Sequence, residues 1–230
     1  MKRRGLPFVF INAAISADGK LAPASRRFEP FGGRRDHDHL LELRATADAV
    51  MAGARTVDLD RVNMGPGPAK YRRARLKRGL AEYNLRIIVS GSGTINPKAE
   101  IFRHRFSPII ILTSERAAKQ KLLCLKGLAD EVKVCGKTSV DFEEALRWLR
   151  ANWKVERLAC EGGGEVNGAM FEADLVDEVH LTLCPLIFGG RDAPTLADSA
   201  GIQHLSQTAR LRLASMRRYE GGLFLVYRRS

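Results

Sequence analysis

Apolar positions in this chain gather into short runs separated by polar, glycine-rich turns, and the runs alternate between two periods. Phe8 to Ile11 is a compact apolar run that predicts a strand; the small residues Asn12-Ala13-Ala14-Ile15-Ser16 and the turn Asp18-Gly19-Lys20 follow it. From Asp36, read as an N-cap, Leu40, Leu41 and Leu43 give a helix face that Arg44 shares. Ala49 to Gly53, Arg86 to Val89, Pro108 to Leu112, Val132 to Val134 and Leu158 to Cys160 predict further strands. A helix is expected from Val140 to Leu149, with Phe142, Leu146 and Leu149 on one side, and another helix start near Thr113 to Arg116. Past Pro185 the pattern changes. Val179, Leu181 and Leu183 alternate within Glu178 to Cys184, and Leu211 to Met216 pairs with Leu223 to Tyr227 across Glu220-Gly221-Gly222 as a hairpin. Strands alternating with helices predict an α/β fold with a central, mostly parallel sheet, helices on both faces and an antiparallel C-terminal hairpin. In such sheets ligands collect at the carboxyl ends of the strands.

The densest candidate chemistry lies after Cys160, where Glu161 precedes Gly162, Gly163 and Gly164, and Val166, Ala169, Met170 and Ala173 follow at helical spacing. A strand passing through glycines into a helix exposes unpaired N–H groups to an anion such as a pyrophosphate. A tight turn alone explains the glycines equally well. The turns Ser90 to Thr94 and Thr113 to Arg116 add hydroxyls and a cation at two further strand ends. His37 and His39 cannot share a helix face, so no metal is expected.

With 230 residues the chain is read as one domain, residues 1–230. No apolar run reaches membrane-spanning length, and Pro7 and Asn12 interrupt the basic-then-apolar start, so neither a membrane segment nor a signal peptide is expected. Four scattered cysteines without a CxxC pair suggest neither a disulfide framework nor zinc, and a reducing cytoplasm is expected. The net charge of +12 raises a nucleic-acid reading, carried by Lys70, Arg72, Arg73, Arg75, Lys77 and Arg78; a solvated helix face is the favoured account of that run.

The stretches ISADGKLA (15–22), LRATADAVMAGARTV (43–57), RIIVSGSG (86–93), CEGGGEVNGAMFEADLVDEVHL (160–181) and PLIFGGRDAPT (185–195) resemble, in order, the reductase domain of riboflavin biosynthesis, a family with a dihydrofolate reductase-like fold. The H-x-E and P-C-x-x-C signature of the zinc deaminase often fused to that domain is absent from the sequence. The resemblance implies NADPH-dependent reduction of a ribosylaminopyrimidine 5′-phosphate to the ribitylamino compound, by a homodimer. It assigns cofactor contacts to Ala14, Thr56, Asp60, Gly91, Ser92, Gly93, Thr94, Gly163, Gly164, Glu165 and Val166. Arg44 is matched to a phosphate-binding arginine, Glu161 to a carboxylate facing the pyrimidine and ribose, and Asn12 and Lys20 are further substrate candidates; Glu161 and Asp60 are the expected catalytic carboxylates. The segment VDLDRVNMGPGP (57–68) departs from the family's DDP-x-L-T, and FEPFGG (28–33) from its usual serine and aromatic. These departures leave room for another pterin, folate, imine or carbonyl substrate.

Overall fold

The computed structural model describes residues 5–26, 30–58, 62–219 and 221–230. Its contacts group the chain into two compact units, Met1–Phe8 with Leu41–Ala159, and Val9–Leu40 with Cys160–Ser230. In chain order the elements are β1 (Phe8–Ser16), α1 (Gly33–Arg44), β2 (Ala49–Gly53), α2 (Ala54–Val57), α3 (Ala69–Leu76), β3 (Leu85–Val89), β4 (Ile109–Thr113), α4 (Lys119–Leu128), β5 (Glu131–Val134), α5 (Phe142–Trp153), β6 (Arg157–Cys160), α6 (Gly164–Glu172), β7 (Glu178–Cys184), β8 (Leu211–Tyr219) and β9 (Gly222–Arg229).

In the first unit the strands run in the order β5-β4-β3-β2-β6, and β2 to β5 pair in parallel. Ile87, Ile88, Ile109, Ile110, Ile111 and Leu112 are wholly enclosed, as expected for parallel strands covered on both faces. Asp141 caps α5 by accepting a bond from Glu144 N at 3.0 Å, and Lys154 ends the helix in the left-handed region, φ 56°.

The basic run is not a uniformly solvated face. In α3, Arg75 is 1% exposed: its Nε donates to Ala81 O at 2.8 Å and its guanidinium to Arg44 O at 2.7 Å and Ala47 O at 2.5 Å. Arg72 donates to the Tyr83 hydroxyl, while Arg73, Lys77 and Arg78 remain exposed. Arg86 is buried too, lying over the Phe106 ring and donating to Ser107 Oγ, Ser107 O and Ile101 O. A charged group is tolerated in the interior when carbonyls accept its hydrogen bonds. Burial pulls both guanidiniums down to about 10, which leaves them charged at neutral pH.

In the second unit the order is β1-β7-β9-β8, with β1 parallel to β7 and β9 antiparallel to both β7 and β8. β1 is longer than its apolar core because Asn12 to Ser16 continue the pairing as far as Ser16↔Cys184. α1 begins at Gly33, so Asp36 sits within the first turn and is not the N-cap; α4 likewise starts at Lys119, later than expected. Glu178, His180, Thr182 and Cys184 share the face of β7 opposite Val179, Leu181 and Leu183, because successive strand residues alternate sides. Glu178 accepts from His180 Nε2 at 2.6 Å and from Arg228 Nε at 2.7 Å, and these partners hold its carboxyl down to about 2 against the opposing effect of burial. A carboxyl lowered on folding stabilises the protein above its ordinary value and loses that contribution as pH falls toward the folded value. The melting temperature of Glu178→Gln is therefore expected to lie below that of the parent at pH 7, and the gap to close as pH falls from 4.5 toward about 2. A gap that stayed constant with pH would show that the ion pairs do not carry the effect.

Candidate active site

In the first unit the candidate cofactor residues cluster at the carboxyl end of β3. Gly93 adopts φ +67°, and a Cβ there would meet the Ala117 Cβ at 3.0 Å, so this position of the turn requires glycine. Ser90 Oγ donates to Thr94 O at 2.9 Å, and Ser92 Oγ to Thr94 Oγ1 at 3.2 Å. Ser114 Oγ closes the turn from β4 by donating to Gly91 O at 2.7 Å. Two cations border the turn. Lys121, from α4, donates to Thr94 Oγ1 at 2.6 Å, and a Cβ on Gly91 would lie 4.0 Å from a guanidinium nitrogen of Arg116. Hydroxyls and cations in this arrangement fit a phosphate group. Lys121 escaped the sequence reading because its spacing from Thr94 carries no motif.

Thr56 lies half-buried in α2, next to Asp58, whose carboxylate accepts from Asn96 N at 2.9 Å. Asp60 falls outside the described residues. Arg44 is buried at the end of α1, and one of its guanidinium nitrogens donates to Gly65 O at 2.7 Å. It is thus tied to the Gly65–Pro68 loop that departs from the family pattern.

In the second unit Glu161 is half-buried between β6 and α6. The Cys160 thiol beside it is pushed up to about 12, first by burial and further by the Glu161 charge. The glycines after Glu161 make room for protein. A Cβ on Gly162 would meet Val166 Cβ at 2.7 Å; one on Gly164 would run into the Asp198 carboxylate and lie 2.6 Å from Thr195 O; one on Gly168 would lie 2.9 Å from Asp198 O. Asp198 N donates to Gly164 O at 2.8 Å, and the Asp198 carboxylate accepts from Thr195 N and Thr195 Oγ1. Asn167, wholly buried, donates to Leu196 O at 2.9 Å. The start of α6 is therefore packed against residues 195–199, with Glu165 and Val166 on the remaining, partly exposed side of its first turn.

Two motifs of the sequence lock each other. Asp18 accepts from Ser16 Oγ at 2.6 Å and from the amides of Phe188 and Gly189 at 3.1 and 2.8 Å, so the DGK turn holds the IFGG loop. The Ser16 hydroxyl foremost, with those amides, brings the Asp18 carboxyl down to about 2. Lys20 bridges Thr195 through its backbone, and Leu21 N donates to Pro194 O. Asn12 and Ala14 lie on one face of β1, opposite His180 and Thr182 of β7. Among the described residues no cluster of three or more His, Cys, Asp or Glu is placed to hold a metal ion, and no helix is long and apolar enough to cross a membrane.

The family model of the RibD C-terminal domain matches residues 7–225. A 2,5-diamino-6-ribosylamino-4(3H)-pyrimidinone 5′-phosphate reductase of Methanothermobacter thermautotrophicus is 34% identical over 214 residues, covering 90% of this chain and 91% of its own. A protein of the same name from Aquifex aeolicus is 32% identical over 213 residues, covering 91% and 90%. The crystal structure of a pyrimidine reductase-like protein from Corynebacterium diphtheriae superposes with a TM-score of 0.80 at 24% identity over 97% of this chain and 92% of that one, a likeness of fold. With its parallel strands, its antiparallel C-terminal hairpin and a match that spans both units, the chain belongs to the RibD C-terminal domain family.

Proposed function

We propose that this protein is an NADPH-dependent reductase of riboflavin biosynthesis that converts a ribosylaminopyrimidine 5′-phosphate into the ribitylamino compound, both units serving as one reductase domain. The observation that carries this reading is the match to reductases of that substrate class over about nine tenths of both chains. In the ring-opened substrate, ribose C1′ is joined to nitrogen as an imine; protonation of that nitrogen makes C1′ electrophilic, and two electrons arriving there break the C=N π bond. When bound, NADPH supplies the hydride for that step. Glu161 places a negative charge beside the protonated nitrogen, Arg44 pairs with the 5′-phosphate, and Asn12 and Lys20 read the pyrimidine. Ala14, Thr56, Asp60, the Gly91–Thr94 turn and Gly163–Val166 align the cofactor.

NADPH is assigned over NADH because Ser92, Thr94, Arg116 and Lys121 offer hydroxyls and cations to a 2′-phosphate. Lys121→Ala is expected to raise the Kd for NADPH roughly tenfold while leaving that for NADH unchanged, the loss of about one charge-assisted hydrogen bond. Equal losses for both cofactors would detach Lys121 from the 2′-phosphate. A cytoplasmic setting accords with four free cysteines, three of them buried. A homodimer accords with β8, which ends its unit's strand order and leaves Leu213 and Met216 50% and 60% exposed, a surface a second copy would cover.

The deciding assay is NADPH oxidation by the purified protein with the deaminated and the undeaminated pyrimidine substrates. Turnover with one of them is expected. Turnover with neither, combined with reduction of a pterin or folate, would transfer the reading to that substrate class.

A further inference from the structure

Three of the five buried side-chain atoms without a hydrogen-bond partner among the described residues gather on one face of the second unit: Asn12 Oδ1, His180 Nδ1 and Thr182 Oγ1. Asn12 and His180 are register partners on the parallel strands β1 and β7, so their side chains leave the same face next to each other. Thr182 is accounted for by Asp36 of α1, whose carboxyl it faces as a hydrogen-bond partner. The other two atoms remain. Buried polar atoms are rarely left unmatched, because each costs on the order of a lost hydrogen bond.

The surroundings of His180 fix one of its two nitrogens. Nε2 lies 2.6 Å from Glu178 Oε1, and Glu178 is also held by Arg228 of β9 at 2.7 Å. The Glu178 carboxylate is an acceptor only, so Nε2 keeps its proton and donates it. From α1, His39 stands 5.8 Å from the His180 ring, with Asp36 and His37 on the same helix; from β1, Phe10 meets the ring edge-on at 5.5 Å; from β9, Phe224 flanks His39 at 4.8 Å. Nδ1 is then the one nitrogen whose proton can come and go, and its neighbour across the register is a carboxamide.

We propose that His180 is a positioning residue that sets which end of the Asn12 carboxamide faces outward, by matching its Nδ1 to whichever end faces inward. With His180 charged, Nδ1–H donates to Asn12 Oδ1 and the amide nitrogen faces outward as a donor. With His180 neutral, Nδ1 is an acceptor; the amide turns over, its N–H donates to Nδ1, and its oxygen faces outward as an acceptor. The two ends have the same shape, so the exchange costs no packing. Asn12 is only half-buried although its Oδ1 is enclosed, which leaves the rest of the residue as the part that reaches the surface. This inference rests on the reading above in which Asn12 meets the pyrimidine: a donor there suits a ring carbonyl, an acceptor suits an amino group or ring N–H.

The test follows the Asn12 side-chain amide signals by NMR from about pH 5 to 8, the span over which histidine chemistry changes, in the full chain and in His180→Gln. Glutamine fills similar space and keeps a donor for Glu178, but cannot change charge. A pH-dependent shift in the parent that is absent from His180→Gln is expected; an amide that ignores pH in the parent, or responds identically in the variant, overturns the inference. Steady-state kinetics over the same range separate the two layers of the argument. KM for the pyrimidine substrate should change by roughly fivefold or more across the transition in the parent and stay flat in His180→Gln, with kcat following the same course in both. An amide that turns over with pH beside a flat KM would remove Asn12 from substrate recognition and leave the coupling to His180 standing. Melting temperatures of all variants guard against misfolding.

Discussion

Glu161→Gln is expected to lower kcat/KM about 100-fold or more, on the order of 3 kcal/mol of transition-state stabilisation, with NADPH affinity nearly unchanged. Glutamine keeps the shape and the acceptor oxygen of the side chain and removes only its charge. Glu161 stands half-buried between the end of β6 and the start of α6, and its charge is felt by the enclosed Cys160 thiol. A carboxylate in such partly desolvated surroundings interacts with a developing cation more strongly than it would in water, and the imine nitrogen is cationic when two electrons reach C1′. Cofactor binding should not change, since an anionic side chain gains nothing from a pyrophosphate. Steady-state kinetics with a separate NADPH titration would check this. Near-normal turnover with a lowered melting temperature would make Glu161 a structural member of the glycine turn.

The second large effect is on stability. Arg75→Met should lower it by about 3–5 kcal/mol, because it leaves the buried carbonyls of Arg44 and Ala47, and the Ala81 carbonyl beside them, without the donors they now have. For a chain of this size that corresponds to a fall of about 10 °C in Tm. Methionine fills much of the same volume, so the loss reports on hydrogen bonding and not on a cavity. Arg73→Met, two positions earlier on the exposed side of α3, is the control and should stay within about 0.5 kcal/mol of the parent. Equal effects in the two variants would return the whole run to a general charge effect. The Arg44 carbonyl is one of the acceptors, so the same staple fastens the end of the helix that presents the proposed phosphate-binding side chain.

Much of the fold was legible because periodicity states directly which residues are covered. The apolar runs 49–53, 86–89 and 132–134 lie in the parallel-paired strands β2, β3 and β5, the run 108–112 falls on β4 except for Pro108, and 158–160 lies in β6, with lengths that agree to within a residue or two. Boundaries failed where polar or small residues continued an element: β1 runs on through Asn12 to Ser16 because its ladder with β7 does, and α1 starts at Gly33, ahead of Asp36. Asp60, a candidate on both the catalytic and the cofactor side, lies outside the described residues.

The sequence by itself determined the alternation of strands and helices, the hairpin at the C-terminus and the family, because hydrophobic spacing and the order of the glycine motifs are properties of the chain read one residue after another. Only the tertiary structure decided what each polar residue does. Arg75 looks like its exposed neighbours until three carbonyls converge on it, and nothing local to Gly164 shows that Asp198, far along the chain, packs against it. Asp18 reads as a turn residue until it accepts the amides of Phe188 and Gly189, and His180 as one polar position of an alternating strand until the register sets it beside Asn12. Burial of a polar group is affordable only with a matching partner, and partners distant in sequence are brought together by the packing of the fold, which no local pattern encodes.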